Sequence, residues 1–139
     1  MFTLTPHVGW ATTDDNSGAT AGPILTANTN LNGTSFVSNV FTAGTNGSYL
    51  QRLIARPAGT NIATVLRVFL NNGSTNATAA NNVLIAEATL PASTANAAAA
   101  LVPVELPLNF AIPGGYVIFV TLGTTVAAGY FVACVGGDY

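Results

Sequence analysis

Apolar residues along this chain arrive in short runs separated by clusters of Gly, Asn, Thr and Pro. FTLT opens the chain ahead of Pro6, and DDNSGATAG (14–22) reads as a loop before Pro23 leads into ILTA. NTNLNG is a turn, and TSFVSNVFTA then sets Phe36 and Val40 among Thr and Ser, as a half-exposed strand does. After the turn GTNGS, SYLQRLIA continues to Arg56, the residue before Pro57 and so biased to extended backbone. ARPAGTN turns the chain into IATVLRVFL, whose branched residues favour a strand. The linker NNGSTNATAANN carries Asn72-Gly73, a strong turn signal, and VLIAEATL follows. ASTANAAAALVP is bracketed by Pro91 and Pro103 and reads as a loop, with a helical turn as the alternative. VPVELPLNF contains Pro103 and Pro107, which remove ladder donors and predict a sheet edge. IPGG turns into GYVIFVTLG, and GYFVACVGG closes the series.

About eight strands at spacings of roughly a dozen residues, with almost no helical period, predict an all-β fold. The expected architecture is an antiparallel two-sheet sandwich, with the jelly roll as first choice. The expected core is Leu53, Leu66, Val68, Ile85, Val117, Phe119 and Val132, or their strand neighbours. Parity is the weak point, because VLRVFL and YVIFV are apolar on both faces. A chain of 139 residues with no internal repeat is read as one domain, with residues 1–22 as an extended arm or loop.

Composition narrows the picture. Charged residues make up 6% of the chain, against roughly 25% in ordinary globular proteins. Yet 50% are hydrophobic, which excludes disorder. No run approaches the roughly 20 apolar residues of a spanning helix. The doubly apolar strands also lack the alternation of an outer-membrane barrel. MFTLTPHVGW has neither the basic start nor the apolar stretch of a secretory signal. A pI of about 4.8, with Arg52, Arg56 and Arg67 the only cations, argues against nucleic acid and against an anionic membrane surface.

Candidate chemistry is sparse. A Ser-His-Asp arrangement could use only His7, and no G-x-S-x-G elbow occurs. Cys134, among apolar neighbours, reads as a small buried hydrophobe. One His and one Cys cannot close a zinc site. Asp14 and Asp15 lie in an oxygen-rich loop but lack the spaced ligands of an EF-hand. Glu87 and Glu105 would need to share a cleft to act as a glycosidase pair. Sequons begin at Asn32, Asn46, Asn72 and Asn76, as expected by chance in a chain rich in Asn and Thr. The expectation is a non-enzyme without cofactor or metal.

The arginines carry more. Strict alternation puts Arg52 and Arg56 with Leu50 and Ile54, opposite Tyr49, Gln51, Leu53 and Ala55. Arg67 alternates with Val65 and Phe69. Three cations on two consecutive strands predict one positive region, either a docking patch or side chains lying over apolar neighbours.

The phrases GSYLQRLIARPAGTNIATVLRVFLNNG, VLIAEATLP and LPLNFAIPGGYVIFVTLGTTVAAGYFVACVGGDY resemble small virion proteins of tailed bacteriophages. More loosely, the chain looks like a capsid decoration, or cement, protein of single-domain jelly-roll type, the likeness covering 48–139. That resemblance implies a homotrimer on the outside of the head, clamping the major capsid protein, made in the host cytoplasm and carried on the virion. The interface candidates are then Arg52, Arg56, Arg67, Trp10, Pro103 and Pro107, with the edge around 104–108 and the N-terminal segment at the trimer seam. A surface poor in charge on a chain of net charge -2 fits burial against other chains. The rival is a carbohydrate-binding module or adhesin stacking sugars on Trp10, Tyr49, Tyr116 or Tyr130. For Trp10, packing beneath a loop is the plainer reading.

Overall fold

The structure, a computed structural model, describes residues 3–11 and 22–139. Eight strands follow one another: β1 (Thr5–Trp10), β2 (Ser38–Thr42), β3 (Ser48–Pro57), β4 (Thr64–Asn71), β5 (Asn82–Leu90), β6 (Val104–Ile112), β7 (Val117–Leu122) and β8 (Tyr130–Asp138). Among the described residues the only helical element is a 3-10 turn at Ala79–Asn81. The Ala-rich stretch before β6 forms no helix. No helix of the described residues is long and apolar enough to cross a membrane.

Two antiparallel four-stranded sheets face each other, one in the order β1-β8-β3-β6 and the other β2-β7-β4-β5. Only β4 and β5 are consecutive strands of one sheet; every other connection crosses to the opposite sheet. The hydrogen-bonded pairs β4·β5, β3·β6, β2·β7 and β1·β8 nest around the β4–β5 loop. The chain is thus a long hairpin folded over upon itself.

Between the sheets lies the main core, with Leu50, Leu53, Leu66, Val68, Ile118 and Val120 among its buried side chains. Val117 and Phe119, expected in that core, are buried elsewhere. They alternate with Ile118 and Val120 along β7, and so join Phe69 and Val37 in a smaller cluster on the outer side of the second sheet. That is why YVIFV is apolar on both parities: β7 is covered on both faces.

Strict alternation also fails in β3. Leu50 pairs with Gly136 and Arg52 with Val135, so Gln51 is an extra residue on β3. This bulge lets both Leu50 and Leu53 face the core, and it parts Arg52 from Leu50. The N-terminal residues differ from expectation as well. Within the segment read as an arm, 5–10 form a strand fully paired with β8, and Pro6 is tolerated because β1 is an edge. ILTA makes only isolated bridges, Ile24 to Tyr130 and Ala27 to Leu122.

Every edge strand carries an interruption. β1 has Pro6, and β6, at the expected edge, has Pro107 and the positive φ of Asn109 (55°). β2 shifts register between Asn39 and Phe41, and β5 does so opposite Val68 and Phe69. Such breaks discourage edge-to-edge addition of another chain.

The amides that replace charge have structural work. Asn76 donates from Nδ2 to the carbonyls of Gly33 (3.2 Å) and Ser35 (2.8 Å), tying the β4–β5 loop to the 28–37 loop. Asn28 donates to Phe36 O and Thr34 O within the latter loop. Asn61 accepts from the N–H groups of Ala128 (2.8 Å) and Gly129 (2.9 Å) and donates to Gly129 O. All three side chains are buried, so each meets its own hydrogen-bonding need by holding loop backbone.

Candidate interaction surface

The outer face of the β1-β8-β3-β6 sheet collects most of the candidate residues. Pairing aligns Trp10, Ala133, Ile54 and Glu105 across the four strands, and Val8, Val135, Arg52 and Pro107 in the adjacent row. Phe131 pairs with Arg56 in the next row. Inward neighbours Val132, Cys134, Leu53 and Ala55 are buried, which fixes these rows as the outward set. Trp10 is 60% exposed, Val8 50% and Phe131 49%, so among the described residues the β1–β8 side of this face is bare and apolar. Trp10 is therefore not packed beneath a described loop. A groove of about 460 Å³ opens between Trp10, Phe131 and Arg56, floored by Ile54 and Ala133.

The cations do not share one region. β3 and β4 are consecutive but belong to opposite sheets, so Arg67 lies on the far side of the sandwich from Arg52 and Arg56. Its Nε donates to Glu87 Oε1 at 2.9 Å, directly across from it on β5. Arg52 reaches Glu105 Oε2 at 3.9 Å on the neighbouring β6. Arg56 is exposed and meets no carboxylate among the described residues. Pro107 lies on the bare face, whereas Pro103 precedes β6 and is half-buried. Glu87 and Glu105 are on different sheets, each beside an arginine, which is not the shared cleft of a glycosidase pair.

His7 points to the other side of β1. Its ring stacks on Phe41 with centroids 4.7 Å apart, and Nε2 lies 3.1 Å from Asp138 Oδ1. The same oxygen accepts a short hydrogen bond from the Ser48 hydroxyl and another from Gly44 N–H. The Ser48 hydroxyl, followed by the His7 ring and the Gly44 amide, holds the Asp138 carboxyl below the usual carboxylate range, against an opposing push from desolvation. Ser, Asp and His are here, but in the wrong order for acyl transfer. The carboxylate sits between the other two, and Ser48 is buried, its hydroxyl committed to Asp138 rather than to the imidazole. The cluster ties the two ends of the sandwich chain to the β2–β3 turn. Sequence gave no sign of it, since its members are about 130 residues apart at the extremes.

Cys134 is fully buried, and desolvation pushes its thiol up to about 12, which removes the thiolate a nucleophile needs. Of the aromatic residues considered for sugar stacking, Tyr130 is fully buried with its hydroxyl donating to Pro91 O. Tyr116 packs against the main core, and Tyr49 sends its hydroxyl toward Asn109 Oδ1. Only Trp10 offers an open ring, joined by Phe131, which sequence reasoning missed. Asn76 is too buried to accept a glycan. The Asp14–Asp15 loop lies outside the described residues. Among the described residues no three of His, Cys, Asp and Glu gather closely enough to hold a metal ion.

No protein-family model matches the chain, and no curated protein shows significant sequence similarity to it.

Proposed function

We propose that this chain is a structural component of a bacteriophage virion, a decoration protein that forms trimers on the outer capsid surface and stabilises the head against the major capsid protein. The observation that carries the reading is the bare apolar face of the first sheet, with Val8, Trp10 and Phe131 half-exposed or more on a chain almost without charge. Contiguous apolar surface of this kind belongs under another chain. The strand orders β1-β8-β3-β6 and β2-β7-β4-β5 support reading the sandwich as a jelly roll. The interrupted edges favour assembly through faces and loops over strand addition, so the 104–108 edge is the weaker choice for the trimer seam.

Light scattering on the purified chain and electron microscopy of particles with and without it test the proposal. A trimer that binds heads and raises their resistance to heat supports it. A monomer that leaves heads equally resistant overturns it. The open ring of Trp10 beside a groove favours one rival, a sugar-binding module of a virion, for which a glycan array showing selective binding is the corresponding test.

A further inference from the structure

We infer that the groove between Trp10, Phe131 and Arg56 is a docking site for a segment of a different protein, one that presents an apolar side chain next to a carboxylate. The inference rests on the proposal that the chain works inside a larger assembly, and it names the face and the chemistry of the contact.

Three observations carry it. The groove, of about 460 Å³, has the size that receives one or two side chains. Its walls are two aromatic rings and its floor is Ile54 and Ala133, an environment that rewards apolar contact. At one end stands Arg56, the cation with no carboxylate among the described residues, while Arg52 and Arg67 each have one. Once an occupant excludes water from this end, an unpaired guanidinium is costly and a paired one favourable, so an occupant that brings its own anion is favoured over one that does not.

A second copy of this chain fits less well. The described carboxylates Glu87, Glu105 and Asp138 are already engaged with Arg67, Arg52 and His7. A sugar fits less well too. Its hydroxyls need several hydrogen-bonding partners, and among the described residues the groove's side chains offer only the Arg56 guanidinium and the Trp10 indole N–H.

The test uses the single tryptophan of the chain as a reporter inside the site. The intact protein is titrated with ten-residue peptides in which Phe or Leu adjoins Asp or Glu, with matched peptides carrying Lys, and with neutral and acidic oligosaccharides. Acidic apolar peptides should shift Trp10 emission to the blue and bind more weakly as salt is raised. Arg56→Glu should weaken that binding by about tenfold or more without moving the melting temperature, and Arg56→Lys should restore part of it. Emission unmoved by the acidic peptides, preference for Lys peptides or for oligosaccharides, or binding indifferent to Arg56→Glu would each overturn the inference. So would a blue shift that depends on protein concentration alone, which marks a second copy as the occupant. Particle binding separates this inference from the virion reading. Heads that take up Arg56→Glu as well as the unmodified chain remove this face but keep that reading. Peptide binding through Trp10 and Arg56 by a chain that never joins particles does the reverse.

Discussion

The outer faces of the two sheets began from similar material and ended differently. On the second sheet, Phe69 and Phe119 point away from the main core, yet the chain covers them itself with Val37 and the 28–37 loop. That loop is held by the amides of Asn28 and Asn76. On the first sheet, Val8, Trp10 and Phe131 point outward and remain open among the described residues. The same physical problem, apolar side chains on an outward face, is solved internally on one side and left unsolved by the described residues on the other. A face that the described residues leave open is where a partner gains most by binding.

The sharpest way to break this comparison is to truncate one aromatic residue on each face. Phe119→Ala should cost about 3–5 kcal/mol in urea unfolding, because it empties a closed cluster. Phe131→Ala should stay within about 0.5 kcal/mol, because half of its ring is already in water. Equal losses would mean that the first face is also buried in the isolated protein, by self-association.

The amide pins come next in size. Asn76→Ala removes the donor to two loop carbonyls, and leaving them unmet should cost about 1–3 kcal/mol. Hydrogen exchange should quicken in the 28–37 loop and leave β8 unchanged. Protection lost evenly throughout the sandwich would show that the loop is no separate cover.

Acid should loosen the His7–Asp138–Ser48 cluster before either face. The folded carboxyl of Asp138 is held below its unfolded value, so its contribution is present above the ordinary carboxylate range and is lost as pH falls through the folded value. Thermal melts should therefore drop on acidification, and Asp138→Asn should flatten part of that drop while lowering stability at neutral pH. A variant with an unchanged acid profile would assign the acid sensitivity to other carboxylates.

The smallest effects belong to the arginines. Arg67→Ala breaks a partly exposed pair with Glu87 and should cost under about 1 kcal/mol. Arg56→Ala should leave the melting temperature in place. A larger loss for Arg56 than for Arg67 would contradict the assignment of Arg56 to an outside partner.

Much of the strand inventory was legible along the chain. The runs SYLQRLIA, IATVLRVFL, VLIAEATL and VPVELPLNF match β3, β4, β5 and β6 to within a few residues, because turn chemistry and branched residues act locally. The edge position of β6 was legible for the same reason, since Pro107 lacks a donor wherever it stands. Parity was not. One bulge at Gln51 turned Leu50 to the core, away from the face of Arg52, Ile54 and Arg56, and the covering of β7 on both faces moved Val117 and Phe119 out of the main core. Of the interface candidates, Trp10, Arg52, Arg56 and Pro107 fall on one face, while Arg67 falls on the other sheet.

By itself the sequence determined that this chain makes β-strands, that it has an apolar core, and that it presents few charges. Those properties follow from residue type and near-neighbour order, which need no third dimension. Only the tertiary structure decided which strands share a sheet, that the Asn amides serve loop backbones, and that His7, Ser48 and Asp138 meet. It also decided that Arg56 stands beside Trp10 and Phe131 with no carboxylate partner among the described residues. Each of these depends on contacts between residues far apart in the chain, and the register of a folded-over hairpin sets them. No local pattern encodes that register.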